Sequence, residues 1–383
     1  MVAVNKRKAT RAASPRRAFS KYSYYAHTMP GLEKVAWREV EQKLPGARLL
    51  GYRTMGTKNG LLLFEYRDDP TLLNDLRTVE DVFCLIASLD HLPPGREGLP
   101  MLPAMLLGQV DWSGSLAIQQ QIMPPSAGVS KRTTFRVISR VLGDPIVYRK
   151  ESQTQIERAI REAHPRWALV EDEGDLEVWL NILGEEVIVG LRLSDKTMRH
   201  RTYKHQHLPA SLRPTVAASM VLLSQPQDHD AFLDPMCGAA TILIERALWG
   251  RYKQLIGGDI RPEAVKVALA NIGTKYKPIH VQQADATDLA FIAPASLDTV
   301  ACNLPFGHQV GSRNANETLY RRLLHEMARV LKPGGRMVLL TGDSQQLRNK
   351  LKAENSAFTI QEVFPFLLLG IRAEMFVLVR RDT

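Results

Sequence analysis

The sequence predicts an α/β protein: a doubly wound parallel sheet in the C-terminal half, preceded by a smaller α+β half. From Leu208 onward, short apolar runs alternate with helical periodicities, one strand and one helix at a time, the pattern that builds parallel sheets. Before Leu208, strands and helices follow in mixed order and include a hairpin signal. A third observation concerns the partner. Lys and Arg outnumber Asp and Glu 50 to 40, a formal charge of +10, and such an excess suits a polyanion. No apolar run approaches the roughly 18 residues of a membrane helix; Phe364 to Ile371 is among the longest. Nucleic acid is therefore the expected partner, and no membrane.

At 383 residues, 45% hydrophobic and 23% charged, the chain has ordinary globular composition and material for about two to three domains. Cys84, Cys237 and Cys302 are far apart and form no CxxC, which argues against a disulfide framework, a zinc finger or an iron–sulfur cluster. A reducing, cytoplasmic location is expected.

Residues 1–22 hold Lys6, Arg7, Lys8, Arg11, Arg16, Arg17 and Lys21 and no acid. They read as a solvated basic tail, with an RNA-touching arm as a variant; a transit peptide fits the same composition, and a secretory signal does not. Gly31 to Val40 opens an amphipathic helix with Leu32, Val35, Ala36 and Val40 on one side. Gly60 to Tyr66 reads as a strand, and Leu72 to Leu89 as a second helix leading into a strand, broken at Leu92-Pro93-Pro94-Gly95. In a second unit, Thr133 to Arg140 alternates like a strand and Ser152 to Ala163 like a helix. Leu176–Leu183 and Glu186–Leu191 form a hairpin turning at Gly184-Glu185. A basic hinge follows with Lys196, Arg199, Arg201 and Lys204. It is either a solvated linker or a strip that tracks phosphates by releasing counterions. His200, His205 and His207 lack a carboxylate cluster, so no metal is expected there.

In the C-terminal half, helices are expected at Ala217–Leu223, Ala239–Trp249, Pro262–Ile272 and Glu317–Leu331. Strands are expected at Ala231–Leu233, Leu255–Gly258, Leu297–Cys302 and Arg336–Leu340, with a short one ending at Asp285. Ligands of such sheets bind at the strand C-terminal ends. There the sequence places Asp234-Pro235-Met236-Cys237-Gly238, where a carboxylate and a glycine turn can meet a small zwitterion. It also places Asp259, suited to two ribose hydroxyls, and Asp285, suited to an adenine amino group. The sharpest signal is Asn303-Leu304-Pro305-Phe306 after the fourth strand. Methylating an exocyclic amine needs its lone pair freed and aimed. The Asn303 side-chain carbonyl, with the Leu304 or Pro305 backbone carbonyl, can each accept one amine hydrogen, and Phe306 offers a flat face to an extruded base. Cys302, before the motif, reads as a buried structural residue.

These motifs resemble the class I S-adenosylmethionine-dependent methyltransferases of exocyclic amines, and in their order the THUMP-domain tRNA guanine-N2-methyltransferases. Met29-Pro30-Gly31-Leu32-Glu33 is similar to the start of their ferredoxin-like domain, here 23–115. Thr134–Val137 through Val187–Gly190 is similar to the THUMP domain, here 116–195. After a linker at 196–210, residues 211–383 resemble the Rossmann-like methyltransferase domain; the approach segment Leu208–Ala217 is similar to the one that closes over the cofactor. The resemblance implies methyl transfer to N2 of a tRNA guanosine, at acceptor-stem position six, with S-adenosylmethionine as cofactor, by a monomer. It implies that Ala210, Ser211 and Leu212, Asp234, Met236, Cys237 and Gly238, Asp259 with Ile260, and Asp285 with Ala286 hold the cofactor beside Asn303. Asn303, Pro305 and Phe306 would hold the base, while Arg136, Arg140 and the four hinge cations would touch RNA. Ala240 stands where the family usually has a second glycine, and its methyl is expected to crowd the cofactor; Leu304 replaces the commoner proline. Rival readings are an adenine-N6 or ribosomal-RNA guanine methyltransferase, a protein-glutamine methyltransferase, and an RNA-binding module with a degenerate cofactor site.

Overall fold

The structure is a computed structural model describing residues 22–55, 59–124, 132–142, 147–209, 211–276, 278–306, 313–352 and 356–382. The basic tail (all but Tyr22) and Ala210 lie outside the described residues. The described residues fall into two compact units: Phe83–Leu193 with Tyr22–Tyr25, and Ala26–Val82 with the residues from Ser194 onward. This division cuts across the sequence boundaries, because most of the expected ferredoxin-like stretch clusters with the C-terminal half.

The N-terminal elements are β1 (Ser23–Thr28), α1 (Glu33–Lys43), β2 (Arg48–Met55), β3 (Asn59–Glu65) and β4 (Asp81–Leu89). The helix expected within 72–89 is only a 3-10 turn, Pro70–Asp75. Pro70 and the Asp69 carboxylate, which accepts from the Thr71 amide at 2.9 Å, start a turn, and the β-branched and aromatic residues of Asp81–Leu89 then favour extended chain. Two helices without a sequence signal follow, α2 (Met101–Gln109) and α3 (Trp112–Ile122).

The first unit continues through β5 (Thr134–Leu142), α4 (Arg149–Ala163), β6 (Ala168–Leu169), β7 (Leu176–Leu183) and β8 (Glu186–Arg192). β5 and β7 pair parallel across the α4 crossover, while β7 and β8 form the expected antiparallel hairpin. The Tyr25 ring stacks on Phe83 at 4.6 Å, and its hydroxyl accepts from the Asn181 amide at 3.1 Å. A side chain at Gly190 would strike that ring, with a Cβ 2.3 Å from it.

The second unit holds α5 (Pro214–Leu223), β9 (Ala231–Asp234), α6 (Thr241–Trp249), β10 (Gln254–Asp259), α7 (Pro262–Ile272) and β11 (Ile279–Gln283). It then continues through β12 (Leu297–Asn303), α8 (Arg313–Val330), β13 (Leu331–Thr341), α9 (Ser344–Leu351), β14 (Phe358–Leu368) and β15 (Ile371–Arg380). Its sheet has the order β11-β10-β9-β12-β13-β15-β14. Six strands run in one direction, and β15 runs antiparallel between β13 and β14. Consecutive residues serve opposite faces. Phe232, Val338 and Val377 enter one apolar cluster, and Leu233, Leu339 and Phe376 the other. Both faces are therefore buried, which explains the short uninterrupted apolar runs. No helix among the described residues is long and apolar enough to cross a membrane.

Residues 26–82 are built into this unit. Met29, Leu32 and Val35 share a core cluster with Val216, Met220, Phe364 and Phe366. The Leu367 amide donates to the Pro30 carbonyl at 3.0 Å, so the chain lies on the edge strand β14. At Gly31, φ is +101° and a Cβ would sit 2.5 Å from the Pro365 carbonyl oxygen, so only glycine fits. Deeper in, Arg77 binds the buried Glu245 carboxylate at 2.5 and 3.0 Å, and Tyr203 donates to it at 2.6 Å. Arg201 Nε stands 3.6 Å from the same carboxylate.

Removing one partner of a buried ion pair strands the others. Glu245→Ala is expected to cost about 3–5 kcal/mol in urea unfolding; a loss below about 1 kcal/mol would show that the cluster is not structurally coupled.

Candidate active site

The strand order sets the location. From β9 the sheet grows one way through β10 and β11, and from β12 the other way through β13. The crevice of a doubly wound sheet opens at this switch, beyond the strand C-terminal ends. Asp234 closes β9 and Asn303 closes β12, with Leu233 paired to Val300. At about 3.3 Å per residue, Asn303 stands some 7 Å further along the strand direction than Asp234.

Asp234 is 1% exposed and its Oδ1 accepts the Met236 amide at 3.2 Å. Burial holds its carboxyl well above the usual range despite that bond, and the Asp259 charge adds to the rise. Asp259 accepts the Gly238 amide at 3.0 Å on Oδ2 and the Arg261 amide at 3.0 Å on Oδ1. The Cys237 amide donates to the Gly258 carbonyl at 2.8 Å. The loop after β9 is thus bonded to the end of β10. Ile260, directly beyond, is a 63% exposed apolar side chain. Asp285 lies on the surface two residues past the end of β11, its Oδ1 accepting from Thr287 N and Oγ1 at 2.8 Å. Ala286 is buried. The Asn271 amide on α7 donates to the Ala239 carbonyl at 3.1 Å and exchanges bonds with the backbone of Gln206.

This donor and acceptor set fits S-adenosylmethionine. A desolvated carboxylate favours a cation beside it, the paired carboxylate of Asp259 keeps acceptor capacity for a diol, and the Ile260 face suits a purine ring. Ser211 Oγ and Thr215 Oγ1, flanking the start of α5, are buried without partners among the described residues; Leu212 is buried in the adjoining cluster.

At β12, the Asn303 Oδ1 atom is buried and has no hydrogen-bond partner among the described residues. An unpaired buried acceptor costs about 1–3 kcal/mol, which an N–H donor would recover. The Pro305 carbonyl is occupied: Tyr320 Oη donates at 2.9 Å and Asn316 Nδ2 at 3.3 Å. Of the two backbone carbonyls the sequence offers, Leu304 is therefore the better placed to receive an amine hydrogen, its own amide being fixed to the Leu340 carbonyl at 2.8 Å. Phe306 is half-buried. Cys302 and Cys237 are buried with their thiols pushed up by burial, which suits packing and not nucleophilic attack.

The expected phosphate strip is largely committed elsewhere. Arg199 pairs with Asp81, Arg201 donates to the Arg77 carbonyl at 3.0 Å, and Lys204 donates to the Leu212 carbonyl at 2.7 Å. Arg136 binds Glu177 and Asp172, and Arg140 lies 4.2 Å over the Trp179 ring. Lys196 is exposed. The Arg199, Arg201 and Lys204 side chains turn to intramolecular acceptors because their part of the hinge is half-buried, a property that charge counting does not report. Among the described residues no group of three His, Cys, Asp or Glu side chains is placed to hold a metal ion.

Ala240 N-caps α6 in the left-handed region, φ 62° and ψ 22°, and is fully buried in an apolar cluster with Ile242 and Leu243. Its methyl group packs in the core, so its burden is backbone strain of about 1 kcal/mol. Ala240→Gly relieves the strain but loosens the unfolded chain by about as much. Donor affinity is expected to stay within threefold; a gain above tenfold would show crowding of the cofactor.

Asp234 yields a pH prediction. Its folded pKa lies above the unfolded value, so the protonated protein is favoured and that contribution, full below about pH 4, is lost as pH rises through the folded pKa. Unfolding free energy compared with Asp234→Asn should fall over this range, and S-adenosylmethionine should reduce the fall. A flat difference would mean the carboxylate is not desolvated.

Comparison with known proteins follows the same line. Residues 201–365 match the family model described as RMKL-like, methyltransferase domain. A tRNA (guanine(6)-N(2))-methyltransferase THUMP3 of Mus musculus is 34% identical over 229 residues, covering 56% of this chain and 45% of the relative. The chain thus spans just under half the length of that relative. A tRNA (guanine(6)-N2)-methyltransferase of Methanocaldococcus jannaschii is 24% identical over 403 residues, covering 93% and 99% of the two chains. In fold, the crystal structure of TrmN from Thermus thermophilus matches with a TM-score of 0.74 at 22% identity, over 94% of this chain and 99% of that one. Strand order and crevice agree with that match: residues 201–365 are similar to the RMKL-like methyltransferase-domain family, and their sheet has a class I methyltransferase-like fold.

Proposed function

We propose that the chain transfers a methyl group from S-adenosylmethionine to the exocyclic N2 amine of a guanosine in tRNA, at position six of the acceptor stem. The observation that carries this is the buried Asn303 Oδ1, without a hydrogen-bond partner among the described residues, at the switch point on the strand next to Asp234. The relatives named as tRNA (guanine(6)-N2)-methyltransferases support the choice of RNA and base. So does the net charge of +10. The reading keeps residues 23–115 as a ferredoxin-like part and 116–195 as a THUMP-like part that grips the RNA, in a cytoplasmic monomer.

When bound, S-adenosylmethionine supplies a methyl group on a positively charged sulfur. Asp234 and the Met236–Gly238 amides would hold its amino-acid end, Asp259 its ribose, and Ile260, Asp285 and Ala286 its adenine. Asn303 Oδ1 and the Leu304 carbonyl each accept one hydrogen of the target NH2. Held by both, the nitrogen turns its lone pair out of conjugation toward the donor, and partial positive charge forming there is met by two carbonyl dipoles. Phe306 covers the base, which has left its stack. With the amine so oriented, positioning supplies most of the rate and a strong general base is not required; the proton leaves to solvent after transfer.

Asn303→Ala is expected to lower kcat by 10²–10³-fold while calorimetry finds S-adenosylmethionine affinity within twofold of wild type. Retained turnover would remove Asn303 from the mechanism, and failure of the wild-type protein to bind the donor would favour the degenerate module.

A further inference from the structure

The Pro305 carbonyl is the end of a hydrogen-bond chain that starts on the neighbouring strand. The Asp343 amide donates to Thr341 Oγ1 at 2.9 Å; Thr341 Oγ1 and Tyr320 Oη are 2.8 Å apart; and Tyr320 Oη is 2.9 Å from the Pro305 oxygen. One direction satisfies every member. The Asp343 amide can only donate and the carbonyl can only accept, so Thr341 donates to Tyr320 and Tyr320 donates to Pro305. Asn316 Nδ2, at 3.3 Å, fills the second lone pair of that carbonyl. Tyr320 and Thr341 are fully buried and Asn316 is 1% exposed.

The same turn meets the next residue by shape. A Cβ on Gly342 would stand 2.8 Å from Phe306 Cδ2 and 3.0 Å from Cγ, so the ring rests on the glycine backbone. The turn Thr341-Gly342-Asp343 therefore fixes Pro305 through a hydroxyl chain and Phe306 through close packing. Burial pushes the Tyr320 hydroxyl up to about 12, so it stays a donor throughout the neutral range.

We propose that Tyr320, Thr341 and Gly342 are positioning residues that pin Pro305 and Phe306, so that the Asn303 side chain and the Leu304 carbonyl, and not the Pro305 carbonyl, receive the target amine. This rests on the amine-methylating reading above. None of the three touches substrate; they act through the loop. A misplacement of about 1 Å in a reacting pair can cost 10²-fold, whereas cofactor binding at Asp234 and Asp259 lies on other strands.

The test uses the full chain with tRNA and S-adenosylmethionine. Tyr320→Phe, Thr341→Val and Gly342→Ala are each expected to lower kcat 10- to 100-fold, with donor affinity within twofold and the KM for tRNA within threefold. Thr341→Ser, which keeps the hydroxyl, should restore kcat to within threefold of wild type. The double variant Tyr320→Phe with Thr341→Val should be no worse than the poorer single one, because one break already interrupts the chain. Hydrogen exchange of the peptide from Thr299 to Phe306 should quicken in Tyr320→Phe, a readout that needs no turnover. Unchanged kcat, parallel loss of donor affinity, failure of Thr341→Ser to rescue, or unchanged exchange would each overturn the proposal. If wild type makes no methylated guanosine, the proposed function fails while the exchange experiment still decides whether the turn pins the loop.

Discussion

The parallel pairing of β9 with β12 is the constraint on which the rest depends. Because the chain leaves these neighbours toward opposite sides of the sheet, their C-terminal ends open a crevice that no side chain need carve. Asp234 and Asn303, far apart in sequence, become neighbours through that pairing alone. The sheet can afford it because both faces are covered: Phe232 and Leu233 serve different apolar clusters, so β9 is held from above and below. A rigid pair of strand ends is what a reaction governed by positioning requires.

The segment Ala26–Val82 changes how the N-terminal half should be understood. It contributes Met29, Leu32 and Val35 to the core beneath α5, ties its backbone to β14 at Pro30, and sends Arg77 to a buried Glu245. In physical terms it is part of the same compact unit as the C-terminal sheet.

Much of the C-terminal sheet was legible because buried parallel strands are short apolar runs and their helices are amphipathic, as with Pro262–Ile272. The strand-end positions of Asp234 and Asn303 were legible because each polar residue directly follows such an apolar run. Other features left no local trace. β14 contains Pro365, which argues against a strand until the edge position is known. α2 is apolar on all sides and has no period to read. The occupied Pro305 carbonyl depends on Tyr320, which in sequence is one more core position of α8. Charge composition indicated a polyanion but not which cations are free: Arg201 and Lys204 look available in sequence and are bonded inside the fold.

The claim that Asn303 grips an NH2 group is tested most directly by identifying the product. Unmodified tRNA incubated with the protein and isotopically labelled S-adenosylmethionine, then digested to nucleosides for mass spectrometry, should yield labelled N2-methylguanosine. Label on a ring carbon or a ribose oxygen, neither of which presents an amine to a carbonyl pair, would contradict the account.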